Sequence, residues 1–360
     1  MAETIFKFLE AYTKADKDRF FGREKEEEGL YEMSFNTRLM LIYGASGTGK
    51  TSLVQCGLSR RFGNIRWKEV YVRRGGDIMH SLIKELHKEI AQFAYPGMEI
   101  EQDPLKAIGQ LQKLVFTPVY LIFDQFEELF TLRPREREES ELQRYIKEKT
   151  DFFDFVRRAS EAGQGLGCHI LLIIREEFIA HLWEFEKVVP SLFNYRYRIE
   201  RMRPEQVEEV VGKMLKYPGL QVGEGVPKAI TRRLEIGKTG IELTYLQVYL
   251  ERLYQQAFSK GNTGDVHLTM EAIDEMGEIQ DVIGEFLDEE LRKLEAKFLP
   301  ERRGLPLQLL GRMVSDDKTK KVLTQEQLEH IYHELGMTAE ESRTCMVTFD
   351  LMKIIRRYEN

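Results

Sequence analysis

Cysteines and long apolar runs are few in this chain and its net charge is small, and each closes off a class of function. Its 360 residues include three cysteines. Cys56, Cys168 and Cys345 are too far apart for a C-x-x-C pair, so neither a disulfide framework nor a cysteine zinc site is indicated. A reducing compartment is the simplest setting. The opening "MAETIFKFLEAYTKADKD" lacks the apolar stretch of a signal peptide, and no uninterrupted apolar run approaches the ~18 residues of a spanning helix. A soluble, cytoplasmic protein without a membrane partner is expected. The 53 basic and 60 acidic residues leave a net charge of -7, which gives no general attraction to nucleic acid or to an anionic surface. Internal repeats and low-complexity tracts are absent too. What remains, 42% hydrophobic and 11% aromatic residues over this length, can fill the cores of two or three domains.

The most informative stretch that is present is residues 39–62, "LMLIYGASGTGKTSLVQCGLSRRF". Gly44, Gly49, Lys50 and Thr51 satisfy G-x-x-x-x-G-K-[ST], a pattern that average composition yields in about one chain per hundred of this length. Its surroundings sharpen it. Leu39 to Tyr43 read as a strand buried on both faces, and beyond the loop Leu53, Val54 and Leu58 fall on one helical face. Strand, glycine loop and helix come in the order that aims backbone N–H groups and a helix N-terminus at a polyphosphate. Gly44, Gly47 and Gly49 tolerate the backbone angles needed, Lys50 would reach the outer phosphates, and Thr51 would hold magnesium.

The pattern of strand and helix then repeats. "IRWKEVYVRR" (65–74) alternates as a strand, "DIMHSLIKELHKEIAQF" (77–93) carries helical spacing, and "VYLIF" (119–123), "HILLII" (169–174) and "YRYRIERM" (195–202) are further candidate strands. This predicts an α/β fold: a P-loop NTPase core with a parallel sheet over residues 1–202, helices on both faces and nucleotide at the carboxyl ends of the strands. After "RMRPEQ" only helices are expected. Val207, Val210, Val211 and Met214, then Leu243, Leu246, Leu250 and Leu253, recur at helical spacing, so residues 203–299 read as a helical lid subdomain. "KFLPERRGLP" reads as a linker into "LQLLGRMVSDDKTKKVLTQEQLEHIYHEL", where helix, short polar strand region and helix suggest a winged-helix-like domain over 300–360. The stop at "LMKIIRRYEN", straight after an apolar segment, suggests that this last domain is incomplete.

Three elements carry candidate chemistry. "VYLIFDQFEELF" ends a buried strand at Asp124, expected to lie beside the P-loop strand, where a carboxylate can bind magnesium through water. A second carboxylate must orient the attacking water. Gln125 occupies the position directly after Asp124, so the task falls to Glu127 or Glu128, and slow hydrolysis is expected. The bland alternative for one of these two glutamates is a residue that starts a solvated helix. Arg175 ends the strand of "HILLIIREEF", where a planar, permanently charged guanidinium could meet a γ-phosphate or pair on the surface with Glu176 or Glu177. "TLRPREREES" (131–140) and Arg196, Arg198, Arg201 and Arg203 are basic clusters, more often solvated faces than contacts in trans or with nucleic acid. His330 and His333 have metal-compatible spacing but no evident further ligands.

Taken together, "FFGRE" (20–24), "GASGTGKT" (44–51), "YLIFDQFEELF" (120–130) and "IIREEF" (173–178) resemble the bacterial STAND NTPases. These are signal-transduction ATPases with numerous domains, similar to AAA+ proteins with a winged helix after the helical lid. The likeness continues through "GIELTYLQVYLERLY" (240–254), "LTMEAIDEMGEIQDVIGEFLDEEL" (268–291) and "LLGRMVSDDKTKKVLT" (309–324). It implies that Phe21, Gly22 and Arg23 line the adenine end and that Gly44, Ala45, Ser46, Gly47, Thr48, Gly49, Lys50, Thr51 and Ser52 surround the phosphates. Asp124 would hold magnesium, and Arg175 would be the sensor after the fourth strand. ATP or ADP with Mg2+ are the implied cofactors. The implied behaviour is a switch closed on ADP and opened by exchange for ATP after a protein or ligand cue, with self-association when active and a C-terminal sensor or effector region beyond this fragment. Gly240-Ile241-Glu242 departs from the Gly-x-Pro of related apoptotic ATPases, whose proline packs on the adenine. The rival reading is a working AAA+ ATPase on DNA or protein substrates; an acid after Asp124 and a basic channel would have favoured it, and both are lacking.

Overall fold

The computed structural model describes the chain except for residues 1–5, 8–9, 64–66, 132–138, 163–165, 217–218, 236–239, 261–265, 278–287, 290, 315–320, 322, 352–354 and 356–360. The chain divides into two compact units. One comprises the described residues of Ala11–Tyr217 and Glu235–Thr244, the other those of Met1–Glu10, Pro218–Leu234 and Tyr245–Glu359.

In the first unit, successive strand residues point to opposite faces and both faces are apolar, which is the pattern of a sheet covered on each side. The strands are β1 (Leu39–Gly44), β2 (Lys68–Val72), β3 (Val119–Phe123), β4 (Cys168–Arg175) and β5 (Arg196–Arg198). Leu39, Leu41, Leu121, Phe123, Ile170 and Leu172 enter one core, whereas Met40, Ile42, Tyr120, Ile122, Leu171 and Ile173 enter the other. Parallel neighbours need crossovers, and helices supply them. The second core is covered by α1 (Glu24–Asn36) and by α2, which begins as Lys50–Ser52, passes through a π-helical stretch, Leu53–Leu58, and ends as Ser59–Phe62. The first core is covered by α3 (Ile78–Ala91), α4 (Pro104–Val115), the short α5 (Glu128–Thr131) and α6 (Glu139–Glu161). Asp77 and Asp103 cap α3 and α4 by accepting from the amides of His80 and Lys106.

The sheet order is β2-β3-β4-β1-β5, parallel throughout. The strand ending in Asp124 is therefore not beside the P-loop strand, as the sequence led us to expect; β4 lies between them. Strand adjacency is decided by how crossovers pack, not by chain order, so spacing along the sequence does not report it. In the β1–β4 register Gly44 stands level with Arg175. The unit also includes α7 (Pro204–Met214).

The second unit contains β6 (Leu220–Val222), α8 (Val226–Leu234), most of α9 (Leu243–Lys260), β7 (Val266–Leu268) and α10 (Met270–Met276). β6 and β7 pair in parallel, so residues 203–299 are not helical throughout. Strands of three residues are too short for a period-two signal to stand out. Beyond them α11 (Leu305–Arg312), α12 (Gln325–Glu334) and α13 (Ala339–Leu351) surround Leu294, Phe298, Leu309, Cys345 and Phe349. The short strand region expected between α11 and α12 falls on residues 315–320, and most of "TLRPREREES" falls on 132–138; both lie outside the described residues. Among the described residues no helix is long and apolar enough to cross a membrane.

Candidate nucleotide site

The loop between β1 and α2 owes its path to glycine. Gly47 and Gly49 have φ of 71° and 83°, the left-handed region that side chains disfavour. A Cβ on Gly44 would come within 2.2 Å of the Ile199 carbonyl oxygen, so only glycine allows that approach. Lys50 folds back over the loop, its Nζ donating to the carbonyls of Gly44 at 2.7 Å and Ala45 at 2.8 Å. Burial lowers the Lys50 pKa, and the nearby Glu127 carboxylate opposes that effect. Thr48 Oγ1 donates to the Ala45 carbonyl, and Ser46 is exposed. The Ser52 hydroxyl accepts from the amide of Tyr12.

Thr51 Oγ1 donates to Asp124 Oδ1 at 2.8 Å, joining the end of the loop to the end of β3. The other carboxylate oxygen is also engaged: Arg73, directly after β2, donates to Asp124 Oδ2 through Nη2 at 2.7 Å and Nε at 3.2 Å. A hydroxyl and a carboxylate beside loop amides are hard oxygen donors of the kind Mg2+ takes, with water and phosphate completing its shell. The donor set fits that ion. Sequence reasoning passed over Arg73; its one signal was a pair of arginines ending a strand of the same layer as Asp124.

The turn after Asp124 positions the next acid. Gln125 adopts φ of 57°, unusual for a residue with a side chain, and its turn drives Phe126 into a cage of Phe123, Phe130, Phe152 and Phe153. The amide of Phe126 donates to the Ile173 carbonyl at 2.8 Å. Glu127 is thereby carried to the end of β4, where Arg175 Nε meets Oε1 at 3.1 Å and the Arg175 amide donates to Oε2 at 3.2 Å. Burial pushes the Glu127 carboxyl up, against the pull of Arg175. Glu128 opens α5. The carboxylate that Arg175 meets is thus Glu127, while Glu176 pairs with Arg198 at 3.0 Å.

The segment preceding α1 backs the loop. Phe21 is half-buried under the Lys213 ammonium, and a Cβ on Gly22 would lie 2.3 Å from Val210 Cγ2 on α7. Arg23 is 2% exposed and donates through Nη2 to the carbonyls of Thr48 at 2.8 Å and Glu200 at 2.9 Å, with Nη1 on Glu26. Its guanidinium grips the phosphate loop itself. A second segment, residues 241–243, meets the loop. The amide of Ile241 donates to Met202 O and that of Leu243 to Gly47 O, each at 3.1 Å. Where the apoptotic ATPases place a proline, Glu242 lies against the loop: a Cβ on Gly47 would meet its Cγ at 2.3 Å. Burial raises the Glu242 pKa, and Arg201, 3.7 Å away, counters it.

Comparison with solved structures agrees on the fold. The Aeropyrum pernix ORC2 protein in its ADPNP-ADP complexes is 14% identical with a TM-score of 0.54, covering 98% of this chain and 99% of that one. The ADP form of the same protein gives 14%, 0.51 and the same coverage. The Aeropyrum pernix ORC1 protein in complex with DNA is 15% identical with a TM-score of 0.50, covering 92% of this chain and 84% of that one. At such identities the likeness speaks for the fold alone. No curated protein sequence matches the chain. The model of one family, Novel STAND NTPase 1, matches residues 6–351, and with the loop, the strand-end acid and the sheet order in place the chain belongs to that family.

Proposed function

We propose that this chain is an ATP/ADP-dependent regulatory switch that hydrolyses ATP slowly. The observation that carries the reading is the engagement of Glu127 on both oxygens by Arg175, at 3.1 and 3.2 Å. A carboxylate so held must be released before it can orient water. Phosphates would lie on the loop amides and the N-terminus of α2, with Lys50 turning from the carbonyls of Gly44 and Ala45 toward them. Thr51 and Asp124 would hold Mg2+, which when bound neutralises β- and γ-phosphate charge. Arg175, level with Gly44, is where a γ-phosphate would draw the guanidinium from Glu127 and free that carboxylate to take a proton from water. ATP and ADP then differ in the state of one ion pair. Adenine nucleotide as ligand is supported by the ORC2 structures, which hold ADPNP with ADP, or ADP.

A nucleotide shifts a conformational equilibrium only by its preference for one state. The hydrogen bond from Leu243 to Gly47 ties the 241–243 segment to the loop, so a change in the loop is felt at that segment. Opening on ATP and self-association in signalling or defence complete the proposal. Its test is to purify the full chain without added nucleotide, denature it, and identify and count what is released. ADP at about one per chain is the expected result, absent from Lys50→Ala. An empty wild type, or a Lys50→Ala protein that binds ATP normally, would sink the reading.

A further inference from the structure

We infer that Arg73 is a built-in counter-cation for Asp124 that competes with Mg2+, and so sets the metal concentration at which the site accepts a metal-bound nucleotide. The inference rests on the nucleotide reading above. Asp124 has a side chain only 2% exposed, and a carboxylate so buried needs a cation or a full set of donors. Thr51 supplies a donor to one oxygen, and the charge comes from Arg73 on the other.

The contact is built by the sheet. β2 and β3 pair with Val72 level with Phe123, so the next residues, Arg73 and Asp124, leave the sheet side by side. The amide of Asp124 donates to the Val72 carbonyl at 3.0 Å and fixes that register at its end. The neighbouring Arg74 is a useful contrast. It is pinned in a two-pronged, buried pair with Glu148 on α6, at 2.9 and 2.7 Å, and the Glu148 carboxylate also accepts from the amide of Ile78. Arg74 is structural. Arg73 has a side chain 30% exposed, so solvent is available to receive its guanidinium when Asp124 turns to another cation.

A guanidinium stays charged at any accessible pH, so it cannot leave Asp124 by losing a proton. It leaves only by exchange. Every contact between Arg73 and Asp124 stabilises the metal-free site, and metal binding at Asp124 must overcome it. Removing the arginine charge therefore tightens the metal, the opposite of what removing a metal-supporting residue does.

The test uses the full chain loaded with ADP, with Mg2+ titrated calorimetrically into wild type, Arg73→Gln and Arg73→Lys. Arg73→Gln is expected to bind Mg2+ about tenfold more tightly, the worth of one charge-assisted pair. Arg73→Lys, a point charge without the fork, should fall between it and wild type. In an Asp124→Asn background Arg73→Gln should change nothing. Equal or weaker Mg2+ binding by Arg73→Gln would overturn the inference; if that variant does not fold, equal or weaker binding by Arg73→Lys does so. A wild type that binds no ADP strikes instead at the proposed function.

Discussion

Replacing Arg23 by alanine decides whether the "FFGRE" arginine reads the base or holds the loop. The family resemblance assigns it to the adenine end, yet its buried guanidinium donates to Thr48 O and Glu200 O and meets Glu26. Truncation would leave the buried Thr48 carbonyl and the part-buried Glu200 carbonyl without this donor and Glu26 without its cation. An unsatisfied buried group costs about 1–3 kcal/mol. Water can enter the space left, and Glu26 keeps a side chain 20% exposed, so the lower end applies to each group and the total loss is about 2–4 kcal/mol. Urea unfolding of the nucleotide-free protein measures it directly. Thr48 belongs to the phosphate loop, so a loosened loop should weaken ADP and GDP by the same factor. Arg23→Lys, which reaches one carbonyl at a time, should recover part of the stability. Stability within about 0.5 kcal/mol of wild type, with lost discrimination between ADP and GDP, would refute the bracing role and restore the contact with adenine.

Three further outcomes are expected. Glu127→Gln should lower single-turnover hydrolysis by about a hundredfold or more while ATP and ADP affinities stay within a few-fold, and Glu128→Gln should leave turnover within a few-fold; equal effects would remove Glu127 as the base. Burial raises the folded-state pKa of Glu127 from 4.5, so its stabilising contribution is present below that value and is lost as pH rises through the raised one. The stability of wild type relative to Glu127→Gln, from urea unfolding at a series of pH values upward from about 4, should therefore fall with pH, and a flat difference would show that the carboxyl is not perturbed. Arg175→Ala should leave ADP affinity within about twofold and reduce the preference for ATP about tenfold, as read by competition for a fluorescent nucleotide; equal loss of both would exclude a γ-phosphate role.

The parts of this site that a sequence displays are those whose residues are contiguous. Gly44 to Thr51 must be adjacent to make the loop, and Asp124 announces itself because five buried residues precede it. Contacts across the fold leave no such trace. Arg23 holds carbonyls 25 and 177 positions away, and Arg73 meets an acid 51 positions on, so neither role has a local pattern. Short, continuous apolar runs reveal β1, β3 and β4 because both their faces are buried, but such runs cannot report which strand neighbours which. The place of β4 between β1 and β3 is therefore legible only in the folded sheet. The left-handed turn at Gln125 is equally silent, since glutamine gives no sign of the conformation that glycine or asparagine would suggest. β6 and β7, at three residues each, fall below the length at which alternation can be told from chance.

The unexpected strand order bears on why hydrolysis and sensing would share one group. Had β3 adjoined β1, Glu127 would face the loop with no strand between them. With β4 in that place, Arg175 stands level with Gly44 on one side and reaches Glu127, in the turn that follows β3, on the other. A single side chain then faces both the phosphate loop and the acid that would activate water. The pair can be opened from the arginine side: the Arg175 side chain is 46% exposed, so solvent is available when the guanidinium leaves Glu127. A γ-phosphate at the loop offers the guanidinium a more highly charged partner, and its withdrawal frees Glu127 without any rearrangement of the sheet. ADP offers no such partner, so the pair re-forms and the acid is held again. In the switch proposed above, recognition of the γ-phosphate and release of Glu127 are two consequences of one contact, and Arg175→Ala should alter both together.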